Sequence, residues 1–146
     1  MQLKHLYIKD YKILKDFHID FPYDFKKYIS VFIGANGSGK STILEAIAQI
    51  FSSIYLNEKA KFGFELEYSV RHEQLLEETS TTSEFHTQYL MAKLSAENEG
   101  DTIQIETYDK DGKSTQKINI LEKDKMVFVS GTNVYSYLPD NIVIYY

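Results

Sequence analysis

The sequence predicts an α/β fold, in which a mixed sheet carries one helix behind a glycine-rich loop and an antiparallel β lobe follows. Two observations support this prediction. A short apolar run, Tyr28 to Ile33, leads into GANGSGKST at 34–42, after which apolar residues recur at three- and four-residue steps. From Lys61 onward, apolar and polar residues alternate instead. The first pattern is typical of strand, loop and helix, and the second is typical of antiparallel strands.

The opening segment, 3–21, has the alternation of two strands joined by a turn. Leu6 and Ile8 share one side of the first strand, and Phe17 and Ile19 share one side of the second. A period of two residues places such pairs on one face of a strand. We therefore expect a β-hairpin before the glycine-rich loop.

The second segment, 28–57, has the order strand, loop, helix. Its first part, Tyr28 to Ile33, is rich in β-branched and aromatic residues and predicts a buried strand. The helix is expected to end near Asn57 and to be amphipathic. The apolar positions that define its buried stripe are Ile43, Leu44, Ile47, Ile50, Phe51 and Ile54.

The third segment, 61–121, predicts an antiparallel lobe. Turns are expected at Asn98–Asp101 and at Asp109–Gly112, where Asp-Gly suits the positive φ of a tight hairpin. The polar, Ser/Thr-rich stretch Arg71 to Thr87 predicts a loop with one helical turn at its start. Two more apolar runs follow, Met126 to Val129 and Ile142 to Tyr146. We expect all 146 residues to form a single domain.

The spacing Gly34, Gly39, Lys40, Ser41 matches the phosphate-loop pattern G-x-x-x-x-G-K-[ST]. In such a loop the backbone amides wrap the phosphates of a nucleotide, and the following helix adds the positive end of its dipole. Lys40 is expected to reach the β- and γ-phosphates, and the Ser41 hydroxyl to ligate Mg²⁺. The predicted nucleotide-binding residues are Asn36, Gly37, Ser38, Gly39, Lys40, Ser41 and Thr42.

Composition narrows the class of protein. The net charge is −5, and no run of lysine or arginine is longer than two, so the chain as a whole gives no footprint for nucleic acid. No apolar run approaches the roughly 20 residues that cross a bilayer. The N-terminus lacks the apolar core of a secretory signal, and there is no cysteine. We expect a cytoplasmic protein without a membrane partner.

Hydrolysis needs an acidic residue for the metal and a group that orients water. Such an acidic residue, the Walker B element, follows an apolar strand. The run Met126 to Val129 is followed by Ser130, and the run Ile142 to Tyr146 ends the sequence. We therefore assign no catalytic residue and expect this chain alone to be inactive. We also expect it to be the N-terminal piece of a longer protein.

GANGSGKST resembles the phosphate loop of ABC-type ATPases of the SMC, RecF and OLD-nuclease kind, an AAA family ATPase group. The segment 3–12 resembles their opening hairpin, and STILEAIAQIF after Lys40 is similar to their first helix. The chain is thus similar to the N-terminal lobe of such a P-loop NTPase. The likeness covers 1–54 well and the remainder in outline, and no LSGGQ-like signature is present.

This resemblance implies ATP as ligand and Mg²⁺ as cofactor. It also implies the missing C-terminal half of the ATPase head as partner and an ATP-dependent homodimer of the full-length protein. DNA is a candidate partner of that full-length protein, although this chain does not indicate it. In such heads the basic residue of the opening turn approaches the phosphates, which here corresponds to Lys12. The glutamine that follows the first helix in this group corresponds to Gln74, Gln88 or Gln104, without a choice between them.

Two alternatives remain open from the sequence. The chain could be a non-catalytic interaction domain that keeps the loop as a fold element. It could also be a fragment of a P-loop kinase, although such enzymes tend to begin with the phosphate-loop strand, whereas here a hairpin comes first.

Overall fold

A six-stranded antiparallel sheet and a helix on one of its faces make up most of the described structure. The computed structural model describes residues 1–22, 31–79, 82–109, 111–120, 128–129, 132–133 and 137–139. The elements are β1 (Gln2–Tyr11), β2 (Leu14–Asp20), α1 (Lys40–Tyr55), β3 (Phe64–Thr79), β4 (Thr82–Ala96), β5 (Gln104–Tyr108), β6 (Ser114–Asn119), β7 (Phe128–Val129) and β8 (Thr132–Asn133).

The sheet joins the opening hairpin to the antiparallel strands that follow the helix. Its strand order is β2-β1-β3-β4-β5-β6, so β1 pairs with both β2 and β3. All of these pairings are antiparallel. The mixed sheet that the sequence predicted is therefore not what the described residues form, because every strand pairing among them is antiparallel.

The segment expected to form a buried strand is the apolar run before the glycine-rich loop. Residues 28–30 lie outside the described residues, and 31–33 form no strand. Val31 is 74% exposed and Ile33 92% exposed, so the prediction of a buried strand is wrong for this part. A buried strand needs neighbours that satisfy its backbone, and among the described strands none pairs with this segment.

The predicted loop at 71–87 is also wrong. β3 continues to Thr79 and β4 starts at Thr82, and the two strands pair in register through Gln74↔His86 and Leu75↔Phe85. This outer part runs past the last residues that pair with β1 and β5, so the described sheet leaves it as a two-stranded ribbon. These strands could not be predicted because strands are recognised by apolar alternation, which the polar stretch 71–87 does not show.

The core lies between α1 and the sheet. The buried residues of α1 recur at three- and four-residue steps, as the sequence predicted, and the Phe51 ring meets the Tyr68 ring edge-on at 5.8 Å. On the sheet side, alternate residues of the central strands are almost completely buried. They include Leu6, Ile8, Phe64, Leu66, Tyr68, Leu94 and Ile105. Each such side chain contributes about 1.5–3 kcal/mol by leaving water.

Both predicted turns are present. The Asp101 amide donates to the Asn98 carbonyl, and the Gly112 amide donates to the Asp109 carbonyl at 3.0 Å. The latter turn, which is further held by two amides donating to the Asp109 carboxylate, links β5 to β6.

The C-terminal apolar runs are only partly described. Phe128–Val129 pairs with Thr132–Asn133 as a small separate ladder, whereas 126–127 and 142–146 lie outside the described residues. Within the described part, no helix has the length and apolar character needed to cross a bilayer.

Candidate functional site

The glycine-rich loop ends at the first residue of α1. Gly39 is the N-cap of the helix and has a φ of +91°, a left-handed conformation. Residues with a Cβ adopt this conformation only at a cost, so a glycine suits this position. The first helical hydrogen bond follows at once, because the Ile43 amide donates to the Gly39 carbonyl at 2.9 Å.

The Lys40 side chain folds back over the loop from which its helix begins. Its ammonium donates to the Gly34 and Ala35 carbonyl oxygens, at 2.7 Å each, and contacts Ser38 Oγ at 3.4 Å. An ammonium carries three hydrogens. Two of them hold the start of the loop, and the third makes the long contact, which an incoming anion could replace at least cost.

The start of α1 is open to an anion. No side chain caps it, and its first turn contains no acidic residue. The N–H groups of the first helical turn have no acceptor within the helix, and they carry the positive end of the helix dipole. Ser41 is exposed and Thr42 half-buried, and the loop residues Asn36, Gly37 and Ser38 are exposed. A phosphate group could therefore reach amides, hydroxyls and the Lys40 ammonium together.

Lys12 lies beside the same helix but is engaged by a carboxylate. It occupies the turn between β1 and β2 with a φ of +53°, and its ammonium lies 2.5 Å from Glu45 Oε1. The ammonium also lies 5.6 Å from the centroid of the Tyr11 ring. The structure thus brings Lys12 to the first turns of α1 and pairs it with Glu45, and its approach to the phosphates stays a prediction.

Glu45 is the residue near the loop that the sequence did not single out. The hydrogen bond from Lys12 holds the pKa of the Glu45 carboxyl below its usual value, with further help from the Lys12 charge and from Tyr11. Its only signal in the sequence is its position one and a half helical turns after Lys40. The Lys12–Glu45 pair spans 33 positions, so local patterns could not reveal it.

None of the three candidate glutamines is brought to the loop by the described contacts. Gln74 and Gln88 lie in the outer ribbon of β3 and β4, opposite His86 and His72. Gln104 donates to Asn119 Oδ1 at 3.1 Å. Its neighbour Ile105 is buried on the α1 side, so alternation places Gln104 on the opposite face of the sheet.

A cavity of about 590 Å³ opens on the polar face of the sheet, away from the loop. Two of the lysines that line it have side-chain partners. Lys93 lies 2.6 Å from Glu65, and Lys9 donates to Asn98 Oδ1 at 2.8 Å. None of the residues 34–42 lines it, so we keep this cavity separate from the candidate site at the loop.

Metal ligands of the protein are sparse in the described part of the chain, where no group of three or more His, Cys, Asp or Glu residues could hold an ion. A divalent cation at the loop would therefore take its oxygens from the Ser41 hydroxyl, the nucleotide and water, which is how Mg²⁺ is commonly held with phosphates.

A family model described as AAA ATPase domain matches residues 1–142, nearly the whole chain. No curated protein and no solved structure matches the chain significantly.

Proposed function

The chain belongs to the AAA ATPase domain family, which suggests ATP binding and hydrolysis, and we propose that it binds Mg²⁺–ATP through residues 34–42 acting as a Walker A loop. One observation carries the proposal. The Lys40 ammonium is held over the loop by the Gly34 and Ala35 carbonyls, next to a helix start that no side chain caps. The positive charge of Lys40 and the N–H groups of the first helical turn are then both available to one anion at the start of α1.

The proposed roles follow from the positions of the groups. Gly37 and Gly39, both with positive φ, keep side chains away from the phosphates. Lys40 contacts the β- and γ-phosphates, Ser41 ligates Mg²⁺, and Thr42 donates to a further phosphate oxygen. Bound Mg²⁺ would neutralise phosphate charge, while the residues of this chain bind and orient the triphosphate. Asn36 and Ser38 complete the loop.

Lys12 is a second proposed phosphate contact, with a smaller contribution to binding than Lys40. The role proposed for Lys12 is supported by its position beside α1, where its ammonium forms an ion pair with the Glu45 carboxylate. A phosphate that entered near the first turn of the helix would offer the Lys12 ammonium another anion at little cost, because an exposed ion pair contributes little to stability.

We further propose that the chain is the N-terminal lobe of an ATPase head of the SMC, RecF and OLD-like group. Its support is the opening hairpin that precedes the loop and shares a sheet with the antiparallel strands behind α1. Under this proposal a C-terminal half supplies the Walker B and signature elements, and ATP joins two full-length copies.

Calorimetric titration of Mg²⁺–ATP tests the binding proposal. We expect Lys40→Ala to weaken binding about 10–100-fold, since a hydrogen bond from a charged group contributes about 1.5–3 kcal/mol. Lys59→Ala is the matched control, because it removes the same charge from an exposed site beyond the end of α1. Lys12→Ala should cause a smaller loss than Lys40→Ala.

Equal binding heats for wild type and Lys40→Ala would contradict the proposal and favour an interaction domain that keeps the loop only as a fold element. Turnover is tested separately. We expect the purified chain to release no phosphate above background, and sustained release that depends on Lys40 would show that it supplies its own acidic residues.

A further inference from the structure

The turn between β1 and β2 lies directly against the N-cap of α1. A Cβ built on Gly39 would lie 3.3 Å from Ile13 Cδ1 and 3.3 Å from Leu14 Cδ2, with Ile13 Cγ1 at 3.8 Å. The methyl groups of Ile13 and Leu14 therefore occupy the space beside the Gly39 backbone. The phosphate loop is thus packed against the turn of the opening hairpin.

Leu14 and Ile13 differ in how far their side chains are buried. Leu14 is 5% exposed and belongs to the core, so its burial explains its presence. Ile13 is 60% exposed, and burial on folding gives it little stabilising role. The presence of a large apolar side chain in this exposed turn is therefore explained better by its position beside the Gly39 backbone than by burial.

A second contact fixes the same turn to α1. Lys12, the residue before Ile13, has a positive φ of 53° and pairs with Glu45 on the second turn of the helix. The turn is thus held at two points, one at the helix start and one further along it.

We infer that Ile13 is a positioning residue for the phosphate loop. Its δ-methyl group holds Gly39 in the left-handed conformation that aims the amides of residues 40–42 at one point. A loop ordered before binding does not have to be ordered during binding, which favours affinity. This inference rests on the proposed function, because it concerns how well the loop receives a phosphate.

The test compares variants that remove similar exposed apolar groups. Ile13→Ala deletes both atoms near Gly39, and Ile13→Val deletes only the δ-methyl. Leu56→Ala is the control, since Leu56 is 64% exposed and lies just beyond the opposite end of α1. For Mg²⁺–ATP we expect Kd to rise about fivefold in Ile13→Ala, less in Ile13→Val, and not in Leu56→Ala.

Two further measurements separate positioning from a general loss of stability. Thermal unfolding of the nucleotide-free protein should shift no more in Ile13→Ala than in Leu56→Ala. In a Lys40→Ala background, Ile13→Ala should weaken the residual binding much less than fivefold, because both residues act through one loop.

The outcomes are distinct. If wild type binds with dependence on Lys40 and Ile13→Ala binds as tightly as Leu56→Ala, the inference is wrong and the proposed function stands. A larger drop in the unfolding midpoint of Ile13→Ala than of Leu56→Ala would also overturn it. If wild type shows no Lys40-dependent binding, the proposed function fails and this inference fails with it.

Discussion

Lys12 and Glu45 are 33 positions apart in the sequence, yet the Lys12 ammonium lies 2.5 Å from Glu45 Oε1. This pair connects the turn of the opening hairpin to the helix that follows the phosphate loop. It is the only ion pair between these two elements in the part of the chain that the structure describes. The Lys12–Glu45 pair, the close packing at Gly63 and the buried hydroxyl groups of Tyr68 and Thr107 can each be tested by mutation.

Glu45→Gln should change how the free energy of unfolding depends on pH. The hydrogen bond from Lys12 lowers the pKa of Glu45 in the folded protein, so the pair stabilises the fold above the ordinary pKa of a glutamate. This contribution is lost as the pH falls through the lowered pKa. We expect wild type to be slightly more stable than Glu45→Gln near neutral pH and the difference to vanish in strong acid. Urea unfolding across this range measures it, and a difference that grows in acid would contradict the assignment.

Gly63→Ala should destabilise the protein by about 3 kcal/mol, because overpacking against rigid backbone is costly. A Cβ at this position would overlap the Glu97 carbonyl oxygen and lie 3.0 Å from the Glu97 carbonyl carbon. The Gly63 carbonyl also accepts from the Lys9 amide at 2.9 Å, which limits any shift. Gly100→Ala is the comparison for backbone strain without overlap, since its Cβ would meet no atom within 4 Å but its φ of +83° is unfavourable for any side chain. Denaturant unfolding of both variants should show the larger loss in Gly63→Ala, and equal losses would mean that no close approach exists.

Tyr68→Phe should be neutral or stabilising by up to about 1 kcal/mol. The Tyr68 hydroxyl is buried with no hydrogen-bond partner among the described atoms, and burial raises its pKa. Phenylalanine keeps the ring that packs on Phe51 and removes the unsatisfied group. A loss of more than about 1 kcal/mol in urea unfolding would indicate a partner for this hydroxyl.

Thr107→Val is the matched control for that prediction. The Thr107 hydroxyl is also buried, but it lies 2.9 Å from Thr115 Oγ1. Its removal breaks a buried hydrogen bond and should cost about 1 kcal/mol.

The local parts of this fold could be predicted from sequence, and the non-local parts could not. The helix after Lys40 follows from the spacing of its apolar residues, and the turn at Asp109–Gly112 from two adjacent residue types. The strand expected at 28–33 could not be judged from its own residues, because a buried strand needs partner strands from elsewhere in the chain. The outer ribbon of β3 and β4 was missed because polar strands without sheet neighbours show no apolar alternation.

The same division applies to the site. Four residues at fixed spacing predict a phosphate loop, because the chemistry of that loop is carried by consecutive backbone groups. The contacts that hold the loop come from elsewhere. Ile13 lies beside the Gly39 backbone and Lys12 pairs with Glu45, and neither relationship leaves a pattern within a short window of sequence.

The exposed residues Val31 and Ile33 directly precede 34–42 along the chain, so apolar surface leads into the loop that we propose binds phosphate. Sulfate strengthens the association of apolar surfaces and is itself an oxyanion. During salting-out, ammonium sulfate would therefore act twice on this segment, favouring contact between molecules through Ile33 and entering the loop that each of them presents.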